Sequence, residues 1–393
     1  MDYFPIITSI CRASMGSPSV AVINNIKKLI KALEKDNKFE EANKLKDILD
    51  SQSLKAELKP SRVSLSKYYF EGERMPEGIK PPVDKESGNY LAEIIFPKNL
   101  VDMRPIFDLT LNNSIDYLLE EWMNIEHLNT NNVKPAYSVM LFGEPGTGKT
   151  LLAQYLAKKL ELPLITAKLD GLLSSFLGTT ARNISNLFSF ANRYKCVLLL
   201  DEFDSIAKLR DDPNELGELK RVVNTLLQCL DERGKTGFTV AITNHDQLLD
   251  SAIWRRFDLR IQIPKPNLKI RQEIISSNAY QAFGFSDLQN KFLSVVTEGY
   301  SGSDIDKLMN FLFRKKILSN ENFNFIEALK EFITLNANLT DPKFLISINE
   351  SEDALIRNLN KDEGFKFNQR EIAELLNTSQ SNISRVLKNK KEL

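Results

Sequence analysis

Residues 139–151 read VMLFGEPGTGKTL, a short apolar run, a loop with three glycines, and the start of an apolar-periodic segment that continues to Leu160. Gly143, Gly146 and Gly148 let the backbone turn tightly, so successive N–H groups can surround phosphate oxygens. The following helix start adds the positive end of its dipole. In the pattern GxxxxGK[ST], Lys149 reaches the β- and γ-phosphates and the Thr150 hydroxyl ligates Mg²⁺. Pro145, Thr147 and Leu151 complete the cradle. Strand, loop and helix follow in the order this chemistry needs.

Around that loop, strand-like runs alternate with helical ones: SVMLF, LLAQYLAKKL, PLITAKL, NISNLFSFANRY, CVLLLD, RVVNTLLQCL, FTVAIT and RIQIP. The alternation predicts an α/β fold, a P-loop NTPase parallel sheet between helices, over 101–266. Only helical patterns follow, an α-helical lid over 267–335 and a second helical region over 336–393. Before the sheet, 1–55 contains an N-terminal helical hairpin, with Ser17 and Pro18 starting the first helix. Its apolar faces are Val22, Ile23, Ile26, Leu29, Ile30 and Leu33, then Phe39, Ala42, Leu45, Ile48 and Leu49. The hairpin is either a packing module or a docking module for a substrate or adaptor. Proline and glycine interrupt 56–100, an irregular connector with a strand near Leu91 to Phe96.

The run CVLLLDEFD suits a central strand buried on both faces. Asp201 stands at its C-terminal end, where open α/β sheets place ligand chemistry. It would hold Mg²⁺ through water, and Glu202 would polarise the attacking water as general base. Without the upstream loop the pair would read as a strand ending in two solvated acids. FTVAITNHD ends in Asn244, which either hydrogen-bonds the water or γ-phosphate or forms a turn. Arg255 and Arg256, between Trp254 and Phe257, are either a solvated face or fingers offered to a neighbouring subunit.

Basic and acidic residues balance at 52 each, which argues against a chain-wide nucleic-acid coat. Cys11, Cys196 and Cys229 are isolated, and only His127 and His245 could join them, so a zinc site or disulfide framework is not expected. A reducing, cytoplasmic setting fits. The N-terminus lacks a basic start before an apolar stretch, and no apolar run reaches membrane-spanning length.

Together these segments resemble the AAA family of the AAA+ ATPases over about Val101 to Asn336. The match includes the phosphate loop, LLLDEFD, AITNHDQLLDSAIWRRFD and TEGYSGSDIDKL. Wording such as LDGLLSSFLGTTARN also resembles stand-alone bacterial members, some encoded beside a subtilisin-like protease. The resemblance implies ATP as the nucleotide and a ring, usually a hexamer, with ATP between protomers. It makes Asn244 the sensor and Arg255 and Arg256 the paired fingers, here adjacent rather than separated by two residues. Gly302 and Ser303 would begin the lid helix that approaches the nucleotide. Glu144 stands where the family commonly has proline and should point away from phosphate. Phe176-Leu177-Gly178 matches the aromatic–hydrophobic–glycine triplet that projects into the central pore and grips polypeptide, with Gly178 bending the tip. The helix behind it should start near Ala181. Lys208 to Leu219 falls where a second pore loop would lie, or forms a solvated turn. The implied activity is unfolding or threading of a polypeptide, feeding a partner protease.

Asn368 to Lys391 fits a helix-turn-helix and resembles the DNA-binding modules of bacterial regulators. Ile372, Leu376, Ile383 and Val386 occupy buried-type positions, with Ala373 at the crossing. Asn377 tolerates a left-handed turn and Ser379 caps the second helix. Gln380, Ser381, Asn382, Arg385 and Lys388 would face DNA. A helical hairpin that closes the preceding domain or contacts a protein fits the same pattern.

Overall fold

The computed structural model describes residues 20–36, 38–46, 72–168, 177–207, 218–233, 236–249, 251–277, 280, 283–319, 322–336, 351–361 and 367–388. Two compact units divide the chain, Met1–Lys67 and Tyr68–Leu393. In the first, α1 (Val20–Lys35) is followed by a helical stretch over 39–46. Ile26, Ile30, Leu33, Ala42 and Leu45 are buried, at the helical spacing the sequence shows. Phe39 departs from that expectation and is 58% exposed. Ser17 and Pro18 lie outside the described residues.

The second unit is built on six strands: β1 (Ala92–Ile95), β2 (Ser138–Phe142), β3 (Leu164–Ala167), β4 (Cys196–Leu200), β5 (Gly237–Thr243) and β6 (Leu259–Gln262). Their order is β1-β3-β4-β5-β2-β6. β3, β4, β5, β2 and β6 run parallel, as the alternating pattern predicts. β1 is antiparallel, with Ala92 opposite Ala167 and Ile95 opposite Leu164. The described residues that lead into it, 72–91, contain no helix, and it adds at the sheet edge, which frees its direction. Met75, Leu91 and Ala92 join the buried core, so residues predicted as connector are packed against the sheet.

Helices cover both faces: α2 (Leu109–Met123), α3 (Ile125–Thr130) and α4 (Lys149–Lys159), then α5 (Leu177–Arg193), α6 (Asp204–Ala207) and α7 (Glu218–Arg233), with α8 (Ser251–Trp254) before β6. Strand alternation splits the core. Leu198, Leu200 and Ala241 pack with Ile184, Leu187, Phe188, Val222 and Leu226 of α5 and α7. Val197, Leu199, Val240 and Ile242 pack with Ile115, Trp122, Leu152 and Leu156 of α2 and α4. Trp122 is fully buried because its ring stacks on Phe238 with centroids 3.7 Å apart while its indole N–H donates to the Ala136 carbonyl at 2.6 Å.

The lid comprises α9 (Leu268–Ile275), α10 (Asp287–Val296), α11 (Gly302–Ser319) and α12 (Phe325–Leu335). Local chemistry starts these helices: Asn267 and Asn324 cap α9 and α12, and Ser286 with Gln289 forms a capping box on α10. Three tail helices follow, α13 (Glu352–Lys361), α14 (Gln369–Leu375) and α15 (Gln380–Lys388). Their buried residues, Leu355, Leu359, Ile372, Ile383 and Val386 among them, share one apolar cluster with Phe292, Leu293, Leu329 and Phe332 of the lid. Lys291 of α10 adds an ion pair to Glu371 at 2.8 Å and sits over the Phe367 ring.

Candidate functional site

A cavity of about 940 Å³ opens at the C-terminal ends of β2, β4 and β5. Sheet order explains its position. The loops after β2 and β4 must face one another across the end of β5, which lies between them. Pro145, Gly146, Thr147, Gly148, Lys149, Thr150 and Leu151 line the cavity, with Asp201, Glu202, Asn244, Gly302 and Ser303. Gly143 lies at the loop's root beneath it. A Cβ there would come 2.2 Å from the Ile263 carbonyl oxygen, so the strand-to-loop exit has room only for glycine. Gly148 has φ +99° and forms the N-cap of α4.

The Lys149 ammonium donates to the carbonyls of Gly143 at 2.8 Å and Glu144 at 2.6 Å. Burial pushes its pKa down, opposed by the nearby charges of Asp201, Asp204 and Glu144. Thr150 Oγ1 donates to Asp201 Oδ2 at 3.0 Å, bringing together two oxygen groups separated by 50 residues of intervening chain. A hard divalent cation such as Mg²⁺ needs such an oxygen set beside phosphate, so these residues fit it. Glu202 is exposed, and its backbone has φ +50°, rare for a residue with a side chain. Its amide donates to Asp201 Oδ1 at 2.9 Å, holding the turn that separates the two carboxylates.

Asn244 is positioned by a buried network that sequence reading missed. Thr243 Oγ1 donates to Asp204 Oδ1 at 3.1 Å and accepts from the His245 amide at 3.0 Å. The Phe203 amide donates to the Ile242 carbonyl at 2.8 Å, tying the end of β4 to β5. Asp204 was legible as the last letter of DEFD but carried no signal for this role.

Two chain segments outside the phosphate loop and the acidic strand end also close the cavity. Ile106 and Phe107 precede α2, and Ile274, Tyr280 and Asp306 come from the lid. Tyr280 donates to Asp306 Oδ1 at 2.7 Å, and burial together with that carboxylate pushes its phenol pKa up. The lid touches the phosphate loop directly: the Ser303 amide donates to the Gly146 carbonyl at 3.0 Å. A Cβ on Gly146 would meet Ser301 Oγ at 2.6 Å, so this glycine also admits the lid. Ser301 Oγ in turn donates to Asp304 Oδ2 at 2.6 Å, closing the start of α11. Glu144 points to Lys265, with which it pairs at 2.6 Å, and is not among the lining residues.

Arg255 and Arg256 are not brought to this cavity. They line a separate polar depression of about 240 Å³ with Ser138, Gly237 and Thr239, at the N-terminal ends of β2 and β5. Both are exposed, and Arg256 pairs with Asp231 at 2.8 Å. Phe257 beside them packs edge-on against Phe203 at 5.7 Å, next to the acidic pair. Of the pore triplet, Phe176 lies outside the described residues, as do 208–217. Leu177 and Gly178 form the first turn of α5, so the helix starts before the predicted Ala181 and Gly178 is helical rather than a loop tip. A helical glycine costs about 1 kcal/mol, small against the burial of Ile184 and Leu187 on the same helix.

In the tail, Asn377 has φ +50° between α14 and α15, and Ser379 Oγ accepts from the Asn382 amide at 3.2 Å. Gln380, Ser381, Arg385 and Lys388 line an open groove with Gln369 and Ser384. Asn382 turns inward to Thr378 at 3.1 Å and accepts from Arg385 at 2.7 Å.

A phosphate loop, an acidic pair across the sheet edge and a helical lid define a P-loop nucleotide-binding domain. Residues 139–265 match the model of the ATPase family associated with various cellular activities (AAA), and the chain therefore carries a domain of that family. It is 37% identical over 214 residues to the uncharacterized AAA family ATPase y4kL of Sinorhizobium fredii, covering 53% of this chain and 64% of that protein. It is 33% identical over 214 residues to the proteasome-activating nucleotidase of Aeropyrum pernix, covering 52% of this chain and 49% of that protein. The chain thus spans about half to two thirds of the length of these relatives. Against the crystal structure of the FIGL-1 AAA domain with ADP the TM-score is 0.47 at 20% identity, covering 65% of this chain and 94% of that one. No helix among the described residues is long and apolar enough to cross a membrane.

Proposed function

We propose that the chain is a Mg²⁺-dependent ATPase that forms a ring, a hexamer by its resemblance to the AAA family, and remodels or threads a polypeptide, feeding a partner protease, in the cytoplasm. The observation that carries this reading is the convergence of Lys149, Thr150, Asp201, Glu202 and Asn244 on one cavity. Lys149 and the loop amides bind the β- and γ-phosphates. Thr150, and Asp201 through water, hold Mg²⁺, which neutralises developing phosphate charge when bound. Glu202 takes a proton from the attacking water, and Asn244 orients that water against the γ-phosphate.

Arg255 and Arg256 stand too far from their own cavity to take part there. They serve a neighbouring copy, where they stabilise the transition-state charge. The similarity to the proteasome-activating nucleotidase of Aeropyrum pernix supports a polypeptide substrate. Phe176, Leu177 and Gly178 then make the gripping element at the head of α5. Phe176→Ala should spare basal ATP hydrolysis and abolish ATP-driven unfolding of a tagged fluorescent protein. Unfolding at the wild-type rate would remove the gripping role.

A second reading concerns address rather than chemistry. The left-handed turn at Asn377 and the groove beside α15 favour DNA on Gln380, Ser381, Arg385 and Lys388, with Asn382 bracing Arg385. Arg385→Ala with Lys388→Ala should weaken duplex binding in a gel-shift titration and flatten its salt dependence. The N-terminal hairpin would then be the docking module for an adaptor.

A further inference from the structure

One charged group in the nucleotide cavity has no part in the phosphate chemistry. Asp306 lies four residues after Gly302 on α11, hence on the same helix face, about 6 Å further along the axis. The start of that helix is fixed against the phosphate loop, through the Ser303 amide on the Gly146 carbonyl at 3.0 Å. Asp306 therefore lines the cavity one helical turn beyond the phosphate-binding level, where the sugar of a nucleotide would follow its phosphates.

Its carboxylate is held in place. Oδ1 accepts from the Tyr280 hydroxyl at 2.7 Å and from Asn310 Nδ2 at 3.0 Å. The Asn310 amide also donates to the Asp306 carbonyl at 2.9 Å, which fixes the amide itself. Among the described residues Oδ2 has no hydrogen-bond partner, so it is left as an acceptor. An ionised carboxylate only accepts, so its complement must donate. A ribose offers two hydroxyl donors. The apolar lining nearby, Ile106 and Ile274, suits a base instead. Asp306 is also exposed, which suits a sugar edge turned to solvent better than a buried ring.

We infer that Asp306, positioned by Tyr280 and Asn310, accepts a hydrogen bond from a ribose hydroxyl and makes the site selective for ribonucleoside over deoxyribonucleoside triphosphates. The inference rests on the phosphate-loop reading of the same cavity. Asp306 lies within the segment TEGYSGSDIDKL, but no role attaches to it there, and Tyr280 lies outside every quoted motif.

The experiment is calorimetric titration of the full chain with ATP, 2′-deoxy-ATP, 3′-deoxy-ATP and GTP. Wild type should prefer ATP over at least one deoxy analogue by about tenfold, the scale of a hydrogen bond to a charged group. Asp306→Ala should bring that ratio close to one while leaving the affinity for the deoxy analogue little changed. Asp306→Asn keeps the shape of the side chain and should give an intermediate ratio, which guards against a folding defect in the alanine variant. Tyr280→Phe should lower the ratio less, because it loosens the carboxylate without removing it. A purely structural role for Asp306 would weaken all four nucleotides together and leave the ratio at its wild-type value, which overturns the assignment. Loss of the ATP-over-GTP ratio with the ribose ratio intact would place the acceptor on the base and overturn it equally. If wild type binds none of the four, the phosphate-loop reading itself fails and takes this one with it.

Discussion

The two ends of one sheet present different sets of charged side chains. At the C-terminal ends of β2, β4 and β5, the groups proposed to bind phosphate, hold metal and activate water meet in one cavity. At the N-terminal ends of β2 and β5, the paired arginines stand on the surface beside Asp231 and Asp258. The first end is preorganised by short hydrogen bonds within the chain, Thr150 to Asp201 and Thr243 to Asp204. At the second, the Arg256 side chain makes a surface ion pair with Asp231. Among the described residues the one arginine lining the cavity is Arg104, which pairs with Asp116 at 2.8 Å, so neither of the paired arginines reaches the cavity of its own copy. That difference is what a ring would resolve, by setting the arginine end of one copy against the cavity end of the next.

The comparison breaks most sharply at the arginines. Replacing both, Arg255→Ala with Arg256→Ala, should lower ATP turnover by about 10³-fold or more, the range for a finger supplied in trans. Nucleotide affinity should stay close to wild type, read by titration beside a coupled phosphate-release assay. Mixing that variant with Lys149→Ala subunits should restore part of the activity, since one partner then supplies a cavity and the other its arginines. Absence of any rescue would falsify action between copies.

Glu202→Gln tests the opposite end. Turnover should fall by about 10²- to 10⁴-fold, the usual contribution of a general base. ATP should remain bound, and light scattering should show rings persisting with it. Hydrolysis at the wild-type rate in that variant would remove the base from the scheme.

Lys149→Ala should act on binding, with ATP affinity reduced about a hundredfold through lost charge-assisted bonds to phosphate. Unchanged affinity would detach the glycine loop from phosphate. The smallest effect belongs to Asp231→Asn. Its pair with Arg256 is exposed, where such pairs contribute about 0–1 kcal/mol, so turnover should change by no more than about fivefold. A loss as large as that of the arginines themselves would mean that Asp231 aims the finger rather than merely resting beside it.

Much of the cavity end was legible in the residues because phosphate chemistry ties function to local spacing. GEPGTGKT encodes a loop and a helix start within eight positions, and both are local structures. CVLLLD and FTVAIT announce doubly buried strands by composition, and β4 and β5 are buried throughout. The turn at Asn377 was legible for the same reason, since left-handed backbone is a property of one residue and its neighbours. Antiparallel β1 was not, because direction at a sheet edge depends on where the preceding chain enters. The helical state of Gly178 was missed because glycine signals a bend locally, while the burial of α5 outweighs it.

What the sequence by itself determined is the set of elements and the identity of the phosphate-binding loop, both written in short-range patterns. Only the tertiary structure decided which distant residues share the cavity. Asp201 reaches Thr150 because β5 separates their strands by one place in the sheet. Asp306 and Tyr280 line the cavity because the lid helix docks on Gly146, a carbonyl with no sequence signal of its own. The tail joins the lid because their apolar faces are buried in a common core. Such contacts follow from packing between elements far apart in the chain, and packing is fixed by the complementarity of whole surfaces rather than by the spacing of any few residues.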